Sequence, residues 1–487
     1  MTATAENPYL TDNFGPVQVE TTALDLTVTG TLPAHLDGRY LRNGPNPVSP
    51  VDPKTHHWFL GTGMVHGVRL RDGKAEWYHN RFVRSADTAR ALGEAPKTGA
   101  KPHAGWDFPA NTNVVVQGGR TFAIVEAGGR PYELTDELDT VGACDFDGTL
   151  PGGYTAHPKR DPATGDLHAV SYYWGWGRKV QYTVIGADAR VKRIENIEVT
   201  GSPMMHDFSL TENHIVLYDL PCVFDLDPVR ELWPRPFGSL ARASASMFVG
   251  KRPTPDPVAA FFTRKVLGSK APKLPYRWDP NYPARVGIMP RTGTAKDVRW
   301  FEVEPCYVFH PLNAYDDSDG GNRVVLDVVR HPKMFDEKLL GPDEGPATLD
   351  RWTVDLTAGK VLEERRSDLA QEFPRVDERV VGRRHRYGYA VAFQGTSADS
   401  LIRHDLATGT SITRHFGAGH NVAEFVFVPD AADSAEDRGS LLGFVFDPDT
   451  GRSDLMVLDS QTLETVAAVH LPARVPAGFH GNWAPTL

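Results

Sequence analysis

Short runs of β-branched and aromatic residues recur along the whole chain, each broken within a few residues by glycine, proline, asparagine or aspartate, while long stretches of helical spacing are scarce. The pattern predicts an all-β protein of many short strands. Residues 113–117 and 121–125 are two such runs joined by Gly118-Gly119, a pair suited to positive φ, and they predict a tight hairpin. A second construction repeats: a strand, an aspartate followed four positions later by glycine, and another strand. It begins at Asp161, Asp355, Asp405 and Asp447. Such recurrence fits antiparallel sheets repeated around an axis, an arrangement that protects strand edges. Two stacked β domains are the alternative. No linker-like tract rich in glycine, serine or proline divides the chain, which favours one domain over residues 1–487.

One segment breaks the alternation. Residues 233–277 mix Phe237, Leu240, Met247, Phe248, Phe261 and Phe262 with nine lysines and arginines and a single acid, Asp256. Basic and apolar residues interleaved in this way suit an amphipathic segment lying on an anionic membrane surface. A helical insertion packed on the sheets with solvated charges reads the same composition differently.

Composition narrows the classes. The 487 residues carry 40% hydrophobic and 23% charged side chains, an ordinary globular balance, and a formal net charge of −10. That charge argues against a surface that tracks nucleic acid. Three widely spaced cysteines, Cys144, Cys222 and Cys306, make neither a disulfide framework nor a metal clip. The polar, acidic N-terminus lacks the pattern of a signal peptide, and no stretch approaches the roughly 20 apolar residues of a membrane span. The expectation is a cytoplasmic protein, peripherally membrane-associated if 233–277 meets lipid, with no obligate protein partner.

Among 18 histidines, four stand apart. His157, His206, His310 and His480 each follow apolar or small residues and precede a proline, aspartate or glycine turn, so each is expected at a strand end, pointing inward. Their separations, 49, 104 and 170 residues, meet no local metal-binding spacing rule. Sheets arranged around one axis nevertheless bring distant residues to one point. Imidazole donors with open positions then suit a redox metal handling O₂. Rings that bind metal need their other N–H held, commonly by a carboxylate. Glu126, Glu372 and Glu424 lie in apolar or compact surroundings and are candidates, though each also fits a solvent-facing place on an alternating strand.

At these residues the chain resembles the carotenoid cleavage oxygenases, and the actinobacterial members in particular. The resemblance runs from NPYL (7–10) through GRYLRNGPNP (38–47), GTGMVHGV (61–68), YTAHP, SPMMHDF, YVFHPLNA, QEFPR and EFVFVP to GFHGNWAP, in one order over essentially the whole length. It implies a seven-bladed β-propeller with a loop and helical dome over a central site. One Fe(2+) per subunit would be held there by His157, His206, His310 and His480, with Glu126, Glu372 and Glu424 hydrogen-bonded to three of the rings. It also implies O₂ as co-substrate and oxidative cleavage of a conjugated C=C bond to two carbonyl products. The substrate expected is a carotenoid or apocarotenoid threaded through an apolar tunnel, for which Trp58, Phe59, Tyr154, Trp174, Phe309 and Phe479 are candidate lining residues. Some relatives cleave stilbenes or other aryl alkenes and place a lysine beside the first of these glutamates. Here Ile124 and Val125 precede Glu126, which disfavours a phenolate mechanism. A lipid-binding propeller without catalysis is the remaining alternative.

Overall fold

The computed structural model describes residues 7–486 except 104–106, 232, 235, 268–273, 318–320 and 395. The repeated Asp-to-Gly turns form as their chemistry dictates. Gly165, Gly359, Gly409 and Gly451 each donate their N–H to the carbonyl of the aspartate four residues earlier, at 2.8–2.9 Å. Each of those glycines has φ between 65° and 72°, where a side chain would be strained. The aspartate carboxylates receive the N–H two residues ahead, at Ala163, Thr357, Ala407 and Asp449. Gly118 and Gly119, both at positive φ, likewise turn Asn113–Gln117 into Arg120–Ile124.

Among the described residues the larger sheets resolve into seven antiparallel meanders in chain order. The sixth, beginning at Glu372–Arg375, and the seventh, centred on Gly439–Asp447, share one sheet through the bridge between Ala398 and Asn421. The ends of the chain close the ring twice. Gly481–Pro485 pairs with Gly38–Pro45, and Val28–Gly30 pairs with Thr465–His470. The architecture is a β-propeller, all-β apart from short helices.

Burial follows the layering. The fifth meander's Arg323–His331 strand is buried from Val324 to Val329, and the one polar residue of that stretch, Asp327, is paired with Arg351 at 2.8 Å. Outer strands lie at the surface instead: Lys360–Ser367 alternates between exposed and half-buried over its first half, and Thr410–His415 is exposed at all but Arg414. The largest core cluster joins the third, fourth and fifth meanders through Tyr182, Phe208, Leu217, Leu326 and Trp352. Each such fully buried side chain contributes about 2–3 kcal/mol of apolar transfer free energy.

The basic and apolar segment leaves the fourth meander between its strands His214–Asp219 and Arg285–Pro290. Its stem is a two-stranded ribbon, Cys222–Phe224 with Tyr276–Trp278, and it carries helices Asp227–Glu231, Phe237–Ala245 and Asp256–Leu267. Arg235, Lys270 and Lys273, three of its nine cations, lie outside the described residues.

Candidate metal centre

Four innermost strands deliver the four histidines. His157 stands two residues before Lys159–Arg160, His206 two before Phe208–Leu210, and His480 directly before Gly481–Pro485. His310 lies within Tyr307–Asp317 at an irregularity of pairing beside Pro311. The expectation that each marks the end of a strand is therefore corrected. Three precede an inner strand and one interrupts it: the strands at His157, His206 and His310 are the first of their meanders, while Gly481–Pro485 is the edge strand that the end of the chain adds to the first meander.

All four rings are buried, and one ligating nitrogen from each falls within 4.8 Å of the others. Carboxylates hold three of them. His310 Nδ1 lies 2.6 Å from Glu372 Oε2 and His480 Nδ1 lies 2.9 Å from Glu424 Oε1. His206 Nδ1 meets Glu126 Oε2 at 2.7 Å in an ion-pair contact angled away from a straight hydrogen bond. His157 has no such partner. Its Nδ1 is 3.9 Å from Asp207 Oδ2, which Lys159 Nζ engages at 2.8 Å.

Burial and the neighbouring groups lower two of the rings and two of the carboxylates below their ordinary ranges. Burial, then the three neighbouring imidazoles, hold His157 well below the ordinary histidine range. Burial also lowers His310 against the opposing pull of Glu372. Burial alone would raise Glu372, but His310 and His331 outweigh it and hold the carboxyl well below the usual range. Glu424, likewise raised by burial, is brought down to about 2 by Arg375 and His480. A neutral ring whose Nδ1–H faces a carboxylate presents its Nε2 lone pair. His206 Nε2 and His310 Nε2 face each other at 3.2 Å, and the buried His157 Nε2 has no hydrogen-bond partner. Converging imidazole nitrogens of this kind fit a transition-metal cation.

Above the histidines opens an apolar cavity of about 280 Å³. Trp58, Phe59, Trp174, Phe309 and Phe479 line it, together with His206, His310 and His480. Phe309 packs 4.9 Å from the His206 ring, and Trp58 packs 4.6 Å from Phe479. Tyr154 is the exception among the expected rings. It is fully buried in the core cluster of the second and third meanders, 5.6 Å from Phe146, where interblade packing rather than the cavity claims it. A second cavity of about 840 Å³, whose mixed lining includes Arg39, Lys159, Arg160 and Arg375, reaches His157, His310 and His480.

Several residues of the centre escaped the sequence reading. His331 donates toward Glu372 Oε1 at 2.8 Å and lines the apolar cavity. Its His-Pro pair repeats those at His157 and His310, a signal that was available. Tyr172 and Tyr276 line the cavity, and burial followed by the Glu126 carboxylate pushes both hydroxyls well above the usual phenol range. Phe373, at φ 54°, follows Glu372 directly and stacks on the His310 ring at 5.7 Å.

Fold and centre together define a β-propeller with four buried histidines converging beneath an apolar cavity. Comparison with known proteins identifies it more closely. The family described as Retinal pigment epithelial membrane protein matches residues 14–485. The chain belongs to this family, that of the carotenoid oxygenases. It is 53% identical to a carotenoid cleavage oxygenase of Mycobacterium tuberculosis, over 99% of each chain. A lignostilbene dioxygenase of Pseudomonas brassicacearum superposes with a TM-score of 0.80 and 26% identity, covering 98% of each chain. An apocarotenoid oxygenase of Synechocystis, at 24% identity, shares the fold with a TM-score of 0.78, over 97% of this chain and 98% of its own.

Proposed function

We propose that this protein is a ferrous-iron dioxygenase that cleaves a conjugated C=C bond of a carotenoid or apocarotenoid into two carbonyl products, within one propeller domain. One observation carries the reading: four buried imidazoles converge beside a cavity walled by aromatic rings. His157, His206, His310 and His480 would hold the metal. Ferrous iron bound there supplies the electrons that activate O₂ toward an alkene. The chain's own part is to orient and to dry. Glu126, Glu372 and Glu424 fix the ring tautomers. Phe59, Phe309 and Phe479, packed edge to face or at an angle, grip a flat polyene without a polar desolvation cost. A snug apolar passage sets which bond reaches the centre. Among the described residues the lining contains no lysine or arginine, which supports the polyene over a phenolic stilbene.

The helical insertion links this cavity to a lipid surface in the same reading. Phe237, Leu240, Met247 and Phe261 are exposed on its helices and following turn, while Val249, Phe262 and Val266 line the cavity. A substrate dissolved in a bilayer then passes from an apolar outer face to an apolar inner one. No helix among the described residues is long and apolar enough to cross a membrane. The protein would work at the cytoplasmic surface of a membrane.

Aerobic incubation of iron-reconstituted protein with apocarotenals and hydroxystilbenes, with isotopic O₂ traced into both products, tests the proposal. Labelled aldehyde or ketone pairs from the apocarotenals are expected. Faster turnover of hydroxystilbenes would move the substrate class to aryl alkenes. Unchanged polyene binding with no turnover in either the native protein or His206→Ala would leave only a lipid-binding propeller.

A further inference from the structure

Behind the cavity wall lies a ring that belongs to no blade. Trp58 lines the cavity, and its indole stacks at 5.7 Å, with the planes 13° apart, on Tyr9, which is not among the lining residues. Tyr9 is 4% exposed and sits in the turn Pro8–Leu10, ahead of the first strand. Hydrogen bonds rather than a sheet hold it. Asn7 Oδ1 accepts the Tyr9 N–H at 2.9 Å, and Asn7 Nδ2 donates to the carbonyls of Pro53 and His56, so the ring is tied to the segment that leads into Trp58. Farther along, Asn13 O accepts from Ala477 N–H at 2.7 Å and from Arg474, and Phe14 stands edge-on to both Tyr9 and Trp58.

The hydroxyl end of the ring meets a second piece of the wall. A Cβ on Gly341 would stand 2.1 Å from Tyr9 Cζ, so only glycine leaves room for the ring there. On either side of that glycine, Leu340 O accepts the Trp58 N–H at 3.2 Å and Pro342 lines the cavity. Tyr9 is thus wedged between two wall segments that are far apart in sequence. Trp58 in turn packs 4.6 Å from Phe479, the residue before His480. A displacement of Trp58 is therefore passed to the part of the wall next to the histidines.

We infer that Tyr9 is a positioning residue that acts through Trp58: it fixes the indole from behind, and so sets how the polyene is clamped and which double bond lies at the metal. This deepens the proposed function and rests on it. Interiors are packed so closely that removing a ring leaves a void its neighbours only partly fill, and an apolar void stays dry and takes up apolar groups. Without the Tyr9 ring such a void opens behind Trp58. The indole then has room to withdraw, and the polyene no longer meets a fixed wall.

The test compares Tyr9→Ala, Tyr9→Leu and Tyr9→Phe with Tyr154→Ala, which removes another buried tyrosine, one set between blades. Two readouts are taken on iron-reconstituted full-length protein. Under anaerobic conditions the absorption band of a bound apocarotenal reports how its chain is twisted or straightened, and under air kcat/KM and the product pairs are measured. Tyr9→Ala should move the bound band toward its position in solvent, lower kcat/KM about two- to twelvefold, the worth of one aromatic pair, and add products from neighbouring double bonds. Tyr9→Phe keeps the stack and should match the native protein. Tyr9→Leu keeps bulk without the flat face, should shift in the same direction by less, and replaces Tyr9→Ala in the comparison if the latter fails to fold. Tyr154→Ala should melt lower and leave band and products alone. A native band and native products after loss of the Tyr9 ring, or changes that Tyr154→Ala reproduces, would overturn the inference. A band shift confined to Tyr9→Ala and Tyr9→Leu, with no cleavage by any of the proteins, would uphold it and refute the oxygenase reading instead.

Discussion

Glutamine in place of Glu372 perturbs the centre at the carboxylate that serves two rings. Glu372 accepts from His310 Nδ1 at 2.6 Å and from His331 Nε2 at 2.8 Å, one oxygen for each, and it is 5% exposed. Glutamine keeps the shape but has a single acceptor oxygen, and its NH₂ must then face one of the two ring N–H groups. One buried donor loses its partner at a cost of about 1–3 kcal/mol. Where the loss falls on His310, the ring turns and its Nε2 leaves the shared point. Changes to groups that orient metal-binding histidines typically weaken metal affinity about 10–100-fold. Competition between the protein and a chromophoric chelator for Co²⁺ or Fe²⁺ reads this directly, alongside a melt of the metal-free protein. Glu372→Gln should bind metal at least tenfold more weakly and melt lower. His331→Phe, which removes only the outer partner, should shift affinity less and in the same direction. Metal affinity within twofold of native in Glu372→Gln would refute the claim that this carboxylate sets the His310 ring.

Three further outcomes are expected. Serine at Phe237, Leu240 and Phe261, all exposed, should sharply reduce flotation with anionic liposomes while leaving the melting temperature within a degree or two, and undiminished flotation would return the insertion to a packing role. Tyr154→Phe should be neutral or slightly stabilising because the buried hydroxyl has no partner, whereas Tyr154→Ala should cost about 3–5 kcal/mol in denaturant unfolding without altering substrate selectivity. His168, 5% exposed, is held neutral by burial and then by Arg291, with its pKa lowered to about 4. The unfolded chain binds that proton from about pH 6.5 downward and the native state does not. Stability should therefore fall as pH drops from 6.5 to 4, by up to about 3 kcal/mol for this group, and His168→Gln should flatten that part of a pH series of melts.

The hairpins were legible because their causes are local: aspartate binds N–H groups ahead of it, glycine takes the left-handed backbone, and β-branched residues fill the strands between. The four histidines were legible as unusual local settings, each in a turn ahead of or within a strand, and the resemblance turned them into a set. Tyr154 was misplaced because apolar surroundings read the same for a side chain between blades and one facing the axis. His331 was missed for the converse reason. Its neighbours Val328 and Val329 mark a core strand, and nothing adjacent in sequence reveals that its ring reaches Glu372, 41 positions on.

The division between sequence and tertiary structure has a physical basis. Strand propensity, turn chemistry and the residue types able to bind metal are properties of a few consecutive residues, and the chain alone determines them. Convergence is not local. It arises when the strand Gly38–Pro45 pairs with Gly481–Pro485 and closes the ring, so that inner strands whose successive histidines are up to 170 residues apart share one axis. Only that closure decided that Glu372 serves two histidines and that the basic and apolar insertion is both outer surface and cavity wall.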